Sequence, residues 1–89
     1  MRFDWDEDKS QSNLRRHGIR FDEAQTVFLD SRAVEYFDEL HSQHEDRFAR
    51  IGITKALNVV KVIFSEVEVG RLRIISARRA TAWPFHIKP

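Results

Sequence analysis

The chain has no cysteine, so neither a disulfide framework nor a thiolate zinc site is open to it. With only 3 glycines and 2 prolines in 89 residues it is no collagen or proline-rich linker, and a hydrophobic share of 42% excludes a wholly disordered segment. Nowhere do apolar residues continue for the roughly 20 positions of a membrane-spanning helix. Met1 is followed by an acidic stretch and not by an apolar signal core, so the expected compartment is the cytoplasm. A chain this short supports one core, burying about 60–70% of its unfolded surface, and residues 1–89 are read as a single domain.

What the chain does have is charge, unevenly placed. Residues 1–46 carry 6 Lys and Arg against 12 Asp and Glu; residues 47–89 carry 9 against 2. Eleven of the 15 cationic residues are arginine, whose planar fork suits paired hydrogen bonds to phosphate. Two readings follow: the halves neutralise one another across the folded surface, or the second half holds an anionic ligand.

Caps and periodicity outline the elements. Phe3-Asp4-Trp5 is a short alternating start. Asp6 is placed to cap a helix from Glu7, with Asp8 in its first turn, Arg15, Arg16 and His17 in its last, and Gly18 as a left-handed stop. Asp22, with Gln25 as its N3 partner, predicts a second short helix with the apolar stripe Phe21, Ala24, Val27 and Phe28, ended at Asp30-Ser31. The period then changes to two. A modest strand over residues 33–37 leads into a polar loop over 38–46, and strands follow over 47–53 and 59–64, joined by a turn at 54–58. After Gly70 a strand over 71–76 sets Leu72 and Ile74 on one face and Arg71, Arg73 and Ile75 on the other. Ser76 then reads as the cap of a short helix over 77–80, stopped by Trp83-Pro84. The fold class expected is α+β: two N-terminal helices, three to four mainly antiparallel strands and a short C-terminal helix.

Several blocks, in order, resemble a known family. They are Phe3-Asp4-Trp5-Asp6 with Lys9, Asn13 and His17-Gly18; Phe21 with Glu23-Ala24, Val27-Phe28 and Asp30; His41-Ser42, Glu45-Asp46-Arg47-Phe48 and Ile51-Gly52; and Arg73-Ile74-Ile75-Ser76-Ala77-Arg78-Arg79-Ala80. Spread over residues 3–80, they are similar to the BrnT-type ribonuclease toxins of bacterial toxin–antitoxin pairs, the family of unknown function 497. The resemblance implies a RelE-like, microbial-ribonuclease-like α+β fold and cleavage of RNA. It also implies neutralisation by a BrnA-type antitoxin, whose ribbon-helix-helix part lets the complex repress its own operon, so that DNA is met only through the antitoxin. Residues 81–89 (TAWPFHIKP) depart from the charged, Tyr-containing final helix common in the family and form an atypical tail. That departure leaves a second function open: a catalytically impaired, antitoxin-binding protein acting in operon autoregulation.

Metal-independent RNA cleavage needs a proton acceptor for the 2′-OH, cations around the phosphorane and a proton for the leaving 5′-oxygen, and no cofactor is expected. The catalytic candidates are His17, Glu45, Arg47, Arg73, Arg78 and Arg79; Lys61, Arg71, Arg73, Arg78 and Arg79 are the candidate RNA contacts. His17 has two readings: an acid or RNA contact sharing a face with Asn13, or a helix-end residue bonded within the fold. Glu45 either accepts a proton, orients Arg47 or forms an ordinary ion pair with it. His41 and His44, with Asp38, lack diagnostic metal-ligand spacing and read as a solvent-facing loop. Ser76 reads as a cap and not a nucleophile. Trp5 and Phe48 read as core, and Trp83 and Phe85 as tail aromatics that pack or meet a partner.

Overall fold

Asp6 starts α1 (Glu7–His17) with its side chain: in the computed structural model, which describes residues 1–80, its Oδ1 accepts from the N–H groups of Asp8 at 2.8 Å and Lys9 at 3.3 Å. Gly18 ends the helix at φ 75° and donates its N–H to Leu14 O at 2.8 Å. What α1 buries is polar, Ser10 and Asn13. Ser10 Oγ accepts the Phe21 N–H at 3.0 Å. Asn13 Nδ2 donates to the carbonyls of Ile19 at 2.8 Å and Ala77 at 2.7 Å, and its Oδ1 accepts the Ala77 N–H at 3.2 Å. The helix is therefore tied down by satisfied buried hydrogen bonds, with little apolar area of its own.

The second helix, α2 (Phe21–Ala24), begins earlier than the Asp22 cap predicts. Arg20 holds the cap position with no side-chain bond, while Asp22 sits inside the first turn. The chain tightens into a 3₁₀ turn over Gln25–Leu29, which keeps the apolar stripe facing inward. Ile19, Phe21, Ala24 and Val27 pack with Val60, Val62, Ile74 and Ala77 in one buried core, and Phe3, Trp5, Phe28 and Ala33 border it. Each large apolar side chain sealed there contributes about 1.5–3 kcal/mol.

The strands are β1 (Arg2–Asp4), β2 (Val34–Phe37), β3 (Phe48–Ile53), β4 (Val59–Glu68) and β5 (Arg71–Arg79), ordered β1-β5-β4-β3-β2 in one sheet. Neighbours are antiparallel except β1, which runs parallel to β5 with Arg2 opposite Arg71 and Asp4 opposite Arg73. This corrects the expected three to four strands to five. It also removes the helix expected over 77–80, because those positions extend the last strand, with Lys61 opposite Arg78 and Val60 opposite Arg79. A single helical turn has a costly nucleus and little to pack against, whereas a strand there gains a ladder with β4 and the Asn13 bonds. Trp83, Pro84 and Phe85 lie outside the described residues. Among those described, no helix is long and apolar enough to cross a membrane.

Both helices cover one face of the sheet. Arg50 clamps that side by donating from Nη2 to Asp30 O at 3.1 Å and from Nη1 to Glu35 at 3.0 Å, with its guanidinium 5.2 Å from the Phe28 ring centroid. Asp30 Oδ2 accepts the Ile53 N–H and Oδ1 the Arg32 N–H, each at 2.9 Å. The Ile53 bond first, then the Arg32 bond and the nearby Arg50 charge, hold the Asp30 carboxyl below the usual carboxylate range. The opposite face carries Lys61 and Ile63 from β4 beside Arg78 and Ser76 from β5.

Candidate active site

The loop between β2 and β3 folds onto this open face, and its own hydrogen bonds fix its shape. Asp38 N–H donates to Arg47 O at 2.8 Å, closing the loop at its base. Ser42 fills the middle: its hydroxyl lies 2.5 Å from Asp38 O and accepts the Arg47 N–H at 2.9 Å. Between them a 3₁₀ turn, Glu39–His41, brings the His41 ring back over Asp38, with Nδ1 2.9 Å from Oδ2. Asp38 is 12% exposed and His41 65%, so a sheltered carboxylate holds a solvent-reachable imidazole.

The result is a cleft of about 120 Å³ lined by Asp38, His41, Arg47, Lys61, Ser76 and Arg78, floored by Ile63. Register explains the grouping, since Lys61 and Arg78 are cross-strand partners, as are Ile63 and Ser76, and both pairs point to the same face. Lys61 also stands over the Tyr36 ring, 5.7 Å from its centroid. Neither Lys61 nor Arg78 joins an ion pair among the described residues. Arg47 Nε is shielded from solvent without a hydrogen-bond acceptor, the Glu45 oxygen 3.8 Å away being out of range. Three cations thus converge on one small opening beside a histidine held by a carboxylate. Such a set can grip a phosphate and exchange a proton next to it.

The remaining predicted residues are placed as follows. Glu45 binds Arg73 with both oxygens 2.6 Å from Nη2, so its shorter ion pair is with Arg73 and not with Arg47. Arg71 stands at the far end of β5, paired with Asp4 at 2.8 Å and Glu68 at 2.9 Å. Arg79 alternates to the helix-covered face, where Nη1 donates to Asn58 Oδ1 at 2.6 Å. His17 lines a separate cleft between α1 and β5, together with Arg78, and its expected neighbour Asn13 is committed to Ala77. His44 lines a neighbouring cavity of about 250 Å³ in the loop, together with His41, Glu45 and Arg47. Trp5 is half-buried, edge-on to Phe21 at 6.4 Å; Phe48 stacks on Phe64 at 5.8 Å. The contact that sequence reasoning missed is the Asp38–His41 pair. Its signal was the three-residue spacing, which lets one tight turn bring both side chains together.

Comparison with known proteins follows the same lines. The family model for the ribonuclease toxin BrnT of type II toxin–antitoxin systems matches residues 5–83. The fold is similar to the 1.1 Å crystal structure of the Brucella abortus ribonuclease toxin BrnT, with a TM-score of 0.72 and 30% sequence identity over 92% of this chain and 99% of that one. A comparison with curated proteins gives no match. With the family model matching residues 5–83 and the fold similarity covering 92% of the chain, the chain belongs to the BrnT family of ribonuclease toxins.

Proposed function

We propose that the open-face cleft is the catalytic centre of a metal-independent endoribonuclease toxin. The observation that carries this reading is the convergence of Arg47, Lys61 and Arg78 around a cleft that also holds the Asp38–His41 pair. The three cations bind the non-bridging oxygens of an RNA phosphodiester and stabilise the charge that builds on phosphorus. Asp38 accepts the Nδ1–H of His41 and leaves Nε2 free to take the 2′-OH proton. The 2′-oxygen bonds to phosphorus, the bond to the 5′-oxygen breaks, and the leaving oxygen takes a proton from water at the cleft mouth, the hydroxide so formed being neutralised by the proton that His41 has taken up. The products are a 2′,3′-cyclic phosphate and a 5′-hydroxyl. Glu45 orients Arg73, and through it the rim of the cleft, while Arg79 supports the fold. A BrnA-type ribbon-helix-helix antitoxin neutralises the enzyme, and DNA is reached only through that partner.

The test is RNA cleavage by purified protein in EDTA, with product ends identified. His41→Ala loses about 10²–10⁴-fold in kcat, in line with removal of a positioned base. Arg78→Ala loses about 10²–10³-fold, as when one donor to a transition-state oxyanion is removed. Both variants keep the wild-type circular dichroism spectrum, and an RNA with a 2′-deoxy sugar at the cleavage position is not cut. Undiminished cleavage by His41→Ala, or activity abolished by EDTA, refutes the mechanism.

A further inference from the structure

A second, larger cleft of about 320 Å³ lies between α1 and the outer edge of β5. Lys9, Arg16 and His17 line it from the helix, and Ser76 and Arg78 from the strand. No aspartate or glutamate lines it. Lys9, Arg16 and Arg78 join no ion pair among the described residues.

Helix electrostatics account for only part of this charge. Arg16 and His17 stand at the negative end of the α1 dipole, where cations are stabilised, but Lys9 is in the first turn, at the end that disfavours a cation. Arg78 belongs to another element altogether. Lys9 and Arg16 are seven residues apart on the helix and so share the face turned to the cleft. Ser76 and Arg78 line both this cleft and the open-face one, so the two openings meet across β5. The ridge between them is held by Asn13, which binds both backbone groups of Ala77.

We propose that the α1 cleft is a second phosphate subsite for the same RNA strand. It rests on the ribonuclease reading of the open-face cleft and adds the requirement for a substrate that extends beyond the scissile bond. With one phosphate held by Arg47, Lys61 and Arg78, the strand crosses the edge of β5 and delivers a neighbouring phosphate to Lys9, Arg16 and the His17 imidazole. Contacts of this kind position the backbone without reading bases, so the cleft confers affinity and length dependence and no sequence preference.

The test uses the double variant Lys9→Ala/Arg16→Ala, both positions being exposed, with Arg15→Ala/Arg20→Ala, which also removes two exposed cations but lies outside the cleft, as the charge-matched control. The probe is an uncleavable single-stranded DNA decamer, its binding followed by fluorescence anisotropy from 50 to 200 mM salt, with cleavage of the matching RNA measured in parallel. The double variant binds about 10-fold more weakly, and the slope of log affinity against log salt falls by about 0.7 for each phosphate that is no longer neutralised. Its loss in kcat/KM is greater on the RNA decamer than on a dinucleotide. Unchanged decamer affinity in a protein that still cuts RNA overturns the subsite and leaves the catalytic reading standing. So does an equal loss in Arg15→Ala/Arg20→Ala, which assigns the effect to diffuse charge, or loss of antitoxin binding alone, which assigns the cleft to the protein partner. Wild-type protein that neither binds the decamer nor cuts RNA overturns both proposals.

Discussion

Asn13→Ala tests the reasoning about α1 most directly, because three of the four buried side-chain hydrogen bonds that fasten the helix pass through one amide. The substitution removes three hydrogen bonds, to Ile19 O, Ala77 O and Ala77 N–H, from a side chain only 7% exposed. At about 0.5–1.5 kcal/mol net for each bond, the loss is about 2–4 kcal/mol, a large share of the ~5–15 kcal/mol that holds such a domain folded. At about 4–8 °C per kcal/mol for a domain of this size, the melting temperature falls by about 8–32 °C. Asn13→Asp separates the roles of the two amide atoms. The carboxylate still accepts the Ala77 N–H, but it offers an acceptor to two carbonyls that need a donor. Its deficit against wild type is therefore large at pH 7 and shrinks as pH falls and the carboxyl gains a proton it can donate. Urea unfolding followed by circular dichroism at pH 7 and pH 4 measures both variants. An Asn13→Ala cost under about 1 kcal/mol, or an Asn13→Asp deficit independent of pH, would refute the account.

Two further predictions concern the helix-covered face. A methyl at Gly52 would sit 2.8 Å from Ala33 Cβ, 2.9 Å from Asp30 Oδ2 and 3.1 Å from Val27 Cγ1, so Gly52→Ala costs about 1–3 kcal/mol in a urea melt; a neutral result would mean that β3 and the 3₁₀ turn are not packed this closely. Asp30 has a folded-state pKa below its unfolded one, so the stability it contributes is complete above about pH 4 and is lost as pH falls through the depressed value. The gap in urea midpoint between wild type and Asp30→Asn should accordingly narrow from pH 5 to pH 2, and a gap constant over that range counts against the Ile53 and Arg32 bonds as its source.

Local signals carried well into the structure, and non-local ones did not. The Asp6 cap and the Gly18 stop of α1 depend on neighbours a few residues away, and both form as their chemistry requires. The stripe of Phe21, Ala24 and Val27 is buried as its spacing predicts, although its helix tightens after one turn. β1 was invisible as a strand because its partner lies some 70 residues later, and three residues carry no periodicity of their own. The extension of β5 was hidden for a related reason: Ser76-Ala77-Arg78-Arg79 has the composition of a helix start, and only β4 and Asn13 decide otherwise. Of the two readings of the divided charge, neutralisation across the halves is seen directly at three pairs, and it leaves part of the basic half gathered elsewhere. Asp4–Arg71, Glu35–Arg50 and Glu45–Arg73 neutralise across the two halves, while Arg47, Lys61 and Arg78 gather on the open face.

The placement of Arg73 and Arg78 turns on a detail that alternation alone gets wrong. They are five positions apart, so a regular strand would put them on opposite faces. The β4–β5 register slips between them: Ile63 is opposite Ser76, yet Phe64 is opposite Ile74, and Ile75 has no partner. One extra residue reverses the parity. Below the slip odd-numbered side chains face the open side, with Arg73 opposite Ser65; above it even-numbered ones do, with Arg78 opposite Lys61. A bulge of this kind re-aims side chains at little cost in pairing. Here it puts Arg73, and the Glu45 that binds it, on the same side as the cleft of Arg47, Lys61 and Arg78, while sending Arg79 back toward Gly18 on the helix side. The pair Arg78-Arg79, alike in composition, is thereby divided between the two faces, Arg78 lining the open-face cleft and Arg79 bonded to Asn58 on the helix side.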